Sequence, residues 1–520
     1  LELWPAGPGR HAFVALSLTG REERGESMRS NASGIGTGVA LRVDSRWTLL
    51  DTFDKISAPG QSLQPIAVGL GGAERADYVA IDWSDGVFQT ELGLEPGGVT
   101  RIAETQRQLA SCPVLFAYDG SGFAFVSDLL GVGGLGFFVA PGEYAPPRPW
   151  EFFRLPRGLV EARNGRYAFK LTEPMEETAY VDALRLHVYD LPPGWSMALD
   201  ERMGVGRPVP TGEPLYYRRK IEPVSAVNDR GDDVTPAVLE RDRRAAPVGR
   251  QDRRFLGRLE KPHVLTMEFG TALDAGAGRP ILIADGWIEY PYSQTVFAAW
   301  QAGAAYSAPT LEARGGDGRW RVVYAQFGYP AGMPREMALP LDDLPAGTNA
   351  LRLSTNQEIY WDRIRVAFAE PLPEVHPRVL VPAVATLRKT GFARRTTGPQ
   401  RLPDYDYGQR SAFWDAKYPA GLYTRFGDVL PLISTLDDAL AIVGPGEETH
   451  FEFAALPAPP AGWHRELVLE ARGYAKDMDL YTKHGETVGP LPVRPAADPA
   501  LALRRKALHE RYNVRFQAGR

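Results

Sequence analysis

The chain has 520 residues, enough for three or four domains, and its 44% hydrophobic and 24% charged content is ordinary for a globular protein. Its net charge of −5 provides no basic field for nucleic acid or an acidic membrane, and its apolar runs are too short to span a bilayer. The 54 glycines and 44 prolines favour short strands joined by turns. We therefore expect a mainly β protein with little helix, built from several antiparallel sandwich or jelly-roll-like domains.

Residues 31–104 read as a compact run of strands and turns. Val39, Leu41 and Val43 alternate with less apolar residues, which is the period-two pattern of a strand with one buried face. Alternating glycines come directly before this strand, whereas a dinucleotide-binding loop needs a strand before its glycines and a helix after them. The pattern predicts a β module that has no phosphate-binding loop.

Four short motifs follow one another in this module. They are Gly34-Ile35-Gly36, Gly60-Gln61-Ser62, Val68-Gly69-Leu70-Gly71 and Val79-Ala80-Ile81-Asp82-Trp83-Ser84-Asp85-Gly86. In this order they resemble the ASPIC/UnbV module, which is known from cartilage acidic protein and from proteins encoded near enediyne biosynthesis clusters. The family usually has a proline after the tryptophan of the last motif, and this chain has Ser84 there.

The resemblance implies a placement outside the cytoplasm: extracellular, at a bacterial cell surface, or periplasmic. Because the family module commonly follows an FG-GAP-type β-propeller, it also implies that residues 1–4 and 11–18 are the end of such a propeller. It implies a binding or scaffold role and supplies no catalytic residues.

Strand and turn signals predict three further domains after the first one. The predicted domains are 1–105, the end of a propeller-like region plus the ASPIC/UnbV-like module; 106–254, a second β domain ending in a charged loop; 255–370, a jelly-roll-like sandwich; and 371–520, a C-terminal β domain with long loops and a terminal helix. Residues 112–126 predict a hairpin, and residues 351–368 resemble the closing hairpin of a carbohydrate-binding jelly roll. Asp498 is placed to cap a helix over 499–511.

No motif in the sequence identifies a catalytic residue. The eight histidines lack metal-binding spacing, and the GxSxG nucleophile motif is absent. Asp285 and Glu289 flank Trp287, and Asp362 follows another tryptophan. An acid beside an aromatic platform suits sugar cleavage, but such aromatic residues at strand ends equally suit a sandwich core. These three acids are therefore catalytic candidates only under the alternative of a carbohydrate-active enzyme, either a glycoside hydrolase or a lyase.

Aromatic residues near acids are the candidates for ligand binding. Planar rings stack on sugar faces and give contact area at a low cost in entropy. The alternative for the same residues is packing in a core or beneath a long loop. The candidates are Trp287, Tyr290, Tyr405, Tyr407, Trp414, Asp415, Tyr423 and Arg425.

Two groups of aspartates are candidates for a calcium site, and calcium is the one cofactor that the sequence suggests. Asp229, Asp232 and Asp233 form one group, and Asp477 and Asp479 form the other. Ca²⁺ prefers oxygen ligands, but neither group has EF-hand spacing, and solvated turns are the alternative.

These observations predict a non-enzymatic exported or cell-surface binding or scaffold protein that recognises a glycan or a protein partner. The first alternative is the carbohydrate-active enzyme with dispersed carboxylates. The second is a structural subunit of a surface assembly that self-associates through the edges of its strands.

Overall fold

The chain forms two compact units, Leu1–Gln108 with Arg410–Lys417, and Leu109–Gln409 with Tyr418–Arg520. The computed structural model describes residues 11–20, 31–52, 65–84, 88–104, 112–274, 278–372, 375–411, 415–495 and 498–519. Strands greatly outnumber helices and most sheets are antiparallel, which confirms the predicted fold class. Within these ranges, every helix is too short or too polar to cross a membrane.

The first unit consists of two sheets with one apolar core between them. Its strands are β1 (Ala12–Thr19), β2 (Gly38–Val43), β3 (Arg46–Asp51), β4 (Ile66–Gly71), β5 (Ala76–Asp82), β6 (Phe88–Leu94) and β7 (Val99–Ala103). Sheet 1 has the order β4-β1-β7, and sheet 2 has the order β3-β2-β5-β6. Only β1 and β7 are parallel neighbours among these strands.

Strand β1 lies in the middle of sheet 1. Its Val14, Leu16 and Leu18 are buried in the same core as Val39 of β2. The apolar face of residues 11–18, which the resemblance places at the end of a propeller, is thus covered by strands of the same unit, and the association with a propeller stays a prediction. The first four residues, which belonged to that expectation, lie outside the described ranges.

The second unit contains two β-sandwiches. Its first strands are β8 (Val114–Tyr118), β9 (Phe123–Asp128), β10 (Phe138–Ala140), β11 (Glu143–Tyr144), β12 (Trp150–Arg154), β13 (Ala162–Arg163), β14 (Arg166–Thr172), β15 (Glu177–Leu191), β16 (Ser196–Ala198), β17 (Arg202–Met203), β18 (Leu215–Ile221), β19 (Ser225–Asn228), β20 (Arg258–Glu268), β21 (Arg279–Ile288), β22 (Thr310–Arg314) and β23 (Trp320–Tyr324). They are followed by β24 (Tyr329–Pro330), β25 (Arg335–Pro340), β26 (Ala350–Gln357), β27 (Ile359–Ala369), β28 (Arg378–Leu380), β29 (Val384–Lys389), β30 (Ala393–Thr397), β31 (Pro403–Arg410), β32 (Gly421–Thr424), β33 (Gly427–Asp428), β34 (Ala441–Val443), β35 (Glu447–Ala454), β36 (His464–Asp477) and β37 (Asn513–Gln517). The helices are α1 (Ser293–Gln301), α2 (Leu430–Ile433) and α3 (Pro499–Tyr512).

The first sandwich joins segments that are far apart in the chain. Sheet 3 has the order β12-β36-β15-β28, with β34 beside β15, and sheet 4 has the order β33-β29-β35-β14-β8-β9, with β13 beside β14. The rings of Phe169 and Phe451 stack at 5.4 Å in the core between these sheets. Strands from 106–254 and from 371–520 therefore lie side by side in both sheets. The domain boundaries proposed from the sequence stay predictions.

The second sandwich is made of sheet 5, with the order β16-β18-β27-β21-β25, and sheet 6, with the order β19-β20-β26-β22-β23. Residues 351–368 were expected to form a closing hairpin, and this prediction is wrong. Strand β26 belongs to sheet 6 and β27 to sheet 5, so the chain crosses between the sheets at Glu358. Leu353 on one side and Trp361 on the other then meet in the same core.

A buried network of ion pairs joins the two sandwiches of this unit. Arg335 of β25 is 1% exposed and lies 3.0 Å from both Asp128 Oδ1 and Glu151 Oε1. Its neighbour Glu336 accepts a hydrogen bond of 2.7 Å from Arg154 of β12. Burial raises the pKa of Asp128 to about 6, although Arg335 acts to lower it. The charged side chains are therefore part of the interior rather than of the surface.

Helix α3 confirms the terminal helix predicted from the sequence. The carboxylate of Asp498 accepts a hydrogen bond of 2.8 Å from the amide of Leu501, which is the expected cap. Helices α1 and α2 were not predicted. Helix α1 has no side-chain cap from its own N-cap residue, Tyr292, and takes one from Asp479, far along the chain, on the amide of Gln294. The hairpin predicted over 112–126 is confirmed by the pairing of β8 with β9.

Candidate functional site

A recess on the outer face of sheet 4 is the best candidate for a ligand site, and we call it the sheet-face pocket. Its volume is about 470 Å³, within the range of pockets that bind small ligands. It combines one aromatic ring with several charged and hydrogen-bonding groups. The residues that line it are Phe123, Arg163, Asn164, Arg166, Ala168, Lys170, His450 and Glu452.

Alternation along β14 and β35 creates this pocket. Phe169 and Phe451 point into the core of the first sandwich, and the residues next to them in sequence point the other way. Lys170 and His450 are register partners on these two strands, so they meet in the pocket. A single pattern of side chains thus builds the core on one face and the pocket on the other.

A tight turn supplies the opposite wall of the pocket. Asn164 and Gly165 both have positive φ, 51° and 73°, which is the conformation of a two-residue hairpin turn. The turn joins β13 to β14 and makes Arg163 and Arg166 direct partners across the hairpin. Both arginines therefore reach the same side of the recess.

Lys170 is held rigidly at the base of the pocket. Its ammonium group donates to Glu448 at 2.8 Å and lies 4.8 Å from the centre of the Phe123 ring. The hydroxyl of Tyr407 donates to the other oxygen of Glu448 at 2.6 Å. Burial opposes ionisation of Glu448, but Lys170 and further donors more than offset it, so its pKa lies below the ordinary value. The charge of Lys170 is thus largely compensated within the protein.

His450 lies between two hydrogen-bond acceptors. Its Nδ1 is 3.1 Å from the carbonyl oxygen of Phe169, and its Nε2 is 3.0 Å from Glu452 Oε1. Burial and then the charge of Lys170 lower the pKa of His450, so the ring is neutral at neutral pH and has one N–H for two acceptors. Glu452 also pairs with Arg166 at 3.1 Å.

Two of the predicted ligand-binding residues lie beside the sheet-face pocket. The ring of Tyr407 is 5.2 Å from that of Phe123, so Tyr407 flanks the pocket. Tyr405, on the same strand, is buried, and its ring packs 5.2 Å from that of Phe125. Tyr407 is thus placed for a role at the site, whereas Tyr405 is part of the layer beneath it.

The predicted aromatic platform at Trp287 is corrected by its burial. Its indole nitrogen donates to the carbonyl of Gln400 at 2.9 Å, and its ring stacks on Tyr360 at 5.6 Å. Tyr290 packs against the core of the second sandwich, with its ring 6.3 Å from that of Tyr329. Trp287, which is 2% exposed, does not present a face to a ligand from solvent. Tyr290 is partly buried, and ligand binding by its ring stays a prediction.

Tyr423 and Arg425 of the second unit do not line the sheet-face pocket. Tyr423 is fully buried, with its hydroxyl donating to a backbone carbonyl at 2.8 Å. The guanidinium of Arg425 lies over the ring of Tyr512, 4.7 Å from its centre. Asp415 belongs to the first unit, and Trp414 lies outside the described ranges. The predicted residues that the structure describes in the second unit therefore do not form one site.

The three candidate catalytic acids are each held in the second sandwich. Asp285 pairs with Arg363 at 2.8 Å, and its pKa is raised by burial and by Glu336. Asp362 accepts two backbone amides at 3.3 Å. Burial raises the pKa of Asp362 to about 6 and that of Glu289 to about 7. Raised pKa values suit a carboxyl group that transfers a proton, but none of the three acids lines the sheet-face pocket.

The candidate calcium ligands are separately engaged in the protein. Asp229, Asp232 and Asp233 each accept hydrogen bonds from side chains of their own turn or the neighbouring strand. Asp479 accepts the amide that begins α1, and Asp477 has a buried Oδ1 without a hydrogen bond. In the part of the chain that the structure describes, no group of three or more acidic, histidine or cysteine side chains is arranged to hold a metal ion. Calcium binding stays a prediction.

The residues that line the sheet-face pocket were not selected from the sequence. The signal was present as alternation: residues 166–170 read Arg-Tyr-Ala-Phe-Lys and residues 450–452 read His-Phe-Glu. Each run puts aromatic residues on one face of a strand and charged residues on the other. The pairing of these two strands, almost 300 residues apart, carries no local signal.

Comparison with known proteins gives one family match. Residues 25–109 match the family model described as ASPIC and UnbV. No curated protein matches the chain. The arabinofuranosyltransferase AftD from Mycobacteria aligns at 11% identity over 84% of this chain, with a TM-score of 0.14, and this chain spans 30% of its length. VP17, a capsid protein of bacteriophage P23-77, aligns at 10% identity over 62% of this chain and 96% of its own, with a TM-score of 0.08. Neither score indicates a shared fold.

The family match coincides with the first unit. It includes β2 to β7 and all four motifs on which the resemblance rests, of which Gly60-Gln61-Ser62 and Asp85-Gly86 lie outside the described ranges. Trp83 of the last motif is buried, and its indole donates to Gln89 at 2.8 Å, which fixes the end of β5 against β6. Residues 25–109 of this chain are an ASPIC and UnbV domain.

Proposed function

We propose that this protein is a non-enzymatic binding protein outside the cytoplasm, and that its second unit recognises a carbohydrate in the sheet-face pocket. The observation that carries the proposal is the composition of this pocket. Phe123 supplies an apolar ring, and Arg163, Asn164 and Arg166 supply donors around it. Sugars need both, because their C–H faces pack on rings while their hydroxyls form hydrogen bonds.

The side chains at the base of the pocket are also held in place before a ligand binds. Lys170 is fixed by Glu448, and Glu448 is fixed in turn by Tyr407 and Arg388. A ligand that enters meets Lys170 and Glu448 in positions that are already set, so these two side chains lose little conformational entropy on binding. The placement outside the cytoplasm is supported by the ASPIC and UnbV domain.

Binding is favoured over cleavage by the state of the carboxylates. Glu448 and Glu452 at the pocket both form ion pairs with basic side chains. A general acid needs a proton to give, and the cations around Glu448 hold its pKa below the ordinary value. Asp285, Glu289 and Asp362, whose pKa values are raised, do not line the pocket. The carbohydrate-active enzyme is therefore the less favoured alternative.

An array of neutral and acidic oligosaccharides tests the proposal. The full chain is applied as the wild type, as Phe123→Ala and as the control Trp300→Ala, which removes a half-exposed ring outside the pocket. We expect wild-type binding that Phe123→Ala abolishes and Trp300→Ala retains, with circular dichroism unchanged in both variants. The absence of binding to any saccharide, or equal binding by Phe123→Ala, would contradict the proposal.

A structural subunit of an assembly is the second candidate function, and one observation favours it. On the outer face of sheet 2, Trp47, Leu49 and Leu92 are 51%, 76% and 48% exposed. The register places Trp47 of β3 and Leu92 of β6 in one row across the sheet, and Leu49 lies two residues after Trp47 on β3. Apolar residues grouped on one exposed face are typical of contacts between proteins.

A further inference from the structure

The sheet-face pocket has an excess of positive charge, although the whole chain has a net charge of −5. Arg163, Arg166 and Lys170 line it together with one carboxylate, that of Glu452. His450 adds no charge at neutral pH because burial lowers its pKa. Glu448 beneath the pocket offsets Lys170, which leaves the two arginines and Glu452 to set the charge that a ligand meets.

The two arginines oppose each other across the hairpin of β13 and β14. Arg163 and Arg166 are direct register partners on either side of a two-residue turn. Like charges in this position repel each other and destabilise a hairpin. Arg166 is compensated by Glu452, whereas Arg163 makes no ion pair among the residues that the structure describes. The guanidinium of Arg163 instead lies 5.4 Å from the centre of the Tyr118 ring.

Both arginines have hydrogen-bond donors to offer. A guanidinium carries five N–H donors in a planar fork, and Arg166 uses one nitrogen for Glu452. Two such forks on one wall fit the planar oxygens of a carboxylate. The ring of Phe123 and the amide of Asn164 border the same space.

We infer that the sheet-face pocket takes an acidic saccharide, a uronate, with its carboxylate held between Arg163 and Arg166 and its ring against Phe123. This inference rests on the proposed function, which it narrows from carbohydrates in general to those that carry a carboxylate. A neutral sugar would leave the repulsion across the hairpin in place, whereas a carboxylate removes it. The carboxylate and the ring of the sugar are thus recognised together.

Calorimetric titration of the full chain tests the inference with matched probes. The probes are oligosaccharides of galacturonate, glucuronate and mannuronate, each with its fully methyl-esterified form, which keeps the sugar and removes the charge. Acetate is the probe for a carboxylate without a sugar. The variants are Arg163→Gln and Arg166→Gln. The control is Arg319→Gln, which removes one exposed positive charge from the second sandwich, outside the pocket.

We expect at least one uronate to bind, and its esterified form to bind at least about tenfold more weakly. Each of Arg163→Gln and Arg166→Gln is expected to weaken uronate binding by about tenfold to a hundredfold, as for the loss of hydrogen bonds between charged groups, and Arg319→Gln to leave it unchanged. Higher salt should weaken the binding.

Three results would overturn the inference in distinguishable ways. Equal affinity for charged and esterified forms would remove the acidic specificity and leave the proposed function standing. Binding of acetate as tight as that of the uronate would reduce the site to a plain anion site. Uronate binding that neither Arg163→Gln nor Arg166→Gln affects would show that the uronate binds outside the sheet-face pocket. If no saccharide binds at all, the inference and the proposed function both fail.

Discussion

Replacing Arg335 by methionine is expected to destabilise the second unit strongly. Arg335 is almost fully buried and contacts Asp128 and Glu151 at 3.0 Å each, and it also donates to Ser127. Methionine keeps much of the volume and the contact with the ring of Phe153, on which the guanidinium lies at 4.7 Å. The change therefore removes the charge and its hydrogen bonds while it largely avoids a cavity.

The expected cost is about 3–5 kcal/mol in the free energy of unfolding at pH 7, as for other buried ion pairs that lose one partner. Its origin is the unpaired charge of Glu151 and Asp128. The cost is smaller at pH 5, because the pKa of Asp128 is already raised to about 6 by burial, and this carboxyl is then neutral in the folded protein. Removing Glu151 as well, in Arg335→Met with Glu151→Met, should recover part of the loss.

Urea unfolding followed by hydrogen exchange of peptides from β12 and β25 measures the stability of the second unit separately from that of the first. The control is Arg321→Met, which breaks an exposed pair with Asp317 in the same sandwich and should cost less than about 1 kcal/mol. The reasoning is refuted if Arg335→Met costs no more than this control. It is also refuted if the losses caused by Arg335→Met and Glu151→Met simply add.

Three further outcomes are expected. Burial raises the pKa of Glu289 to about 7, above the ordinary 4.5, so the free energy of unfolding falls as the pH rises between these two values. In urea titrations at several pH values, Glu289→Gln should reduce this dependence of stability on pH, and an unchanged dependence would contradict the prediction. Leu49→Lys should reduce any self-association seen by sedimentation velocity, and a wild-type chain that is monomeric at high concentration would refute the assembly candidate. Binding of an acidic saccharide should tighten as the pH falls below the ordinary histidine pKa of 6.5, because His450, which faces Lys170 and Glu452, then gains a proton; His450→Gln should remove this pH dependence, and its persistence would assign it to another group.

Local patterns in the sequence predicted several of the individual strands. Val39, Leu41 and Val43 lie inward on β2 as their alternation requires, and Asp498 caps α3. Partners between distant strands were not predictable, because pairing of β15 with β36 depends on tertiary packing and not on neighbouring residues. The crossing at Glu358 was read as a hairpin because both flanking segments show strand patterns, and a turn and a crossing look alike in sequence.

The candidate site was harder to predict than the fold. Trp287 and Tyr423 were selected because large aromatic residues bind ligands, yet both proved to be buried. Arg335 and Glu336 were overlooked because adjacent charges usually indicate solvent, whereas here both lie in the interior. Among the selected residues that the structure describes in the second unit, Tyr407 lies beside the pocket and Tyr405 lies in the layer beneath it.

The pairing of β15 with β36 has a consequence for biosynthesis. About 270 residues, including the whole second sandwich, separate the end of the earlier strand from the start of the later one. At the speed of a ribosome, this distance corresponds to roughly 15–55 s during which β15 has emerged without its central neighbour. The nascent chain therefore carries an unpaired 15-residue strand edge while about 270 further residues are made, and this edge is a binding site for a chaperone or an export factor.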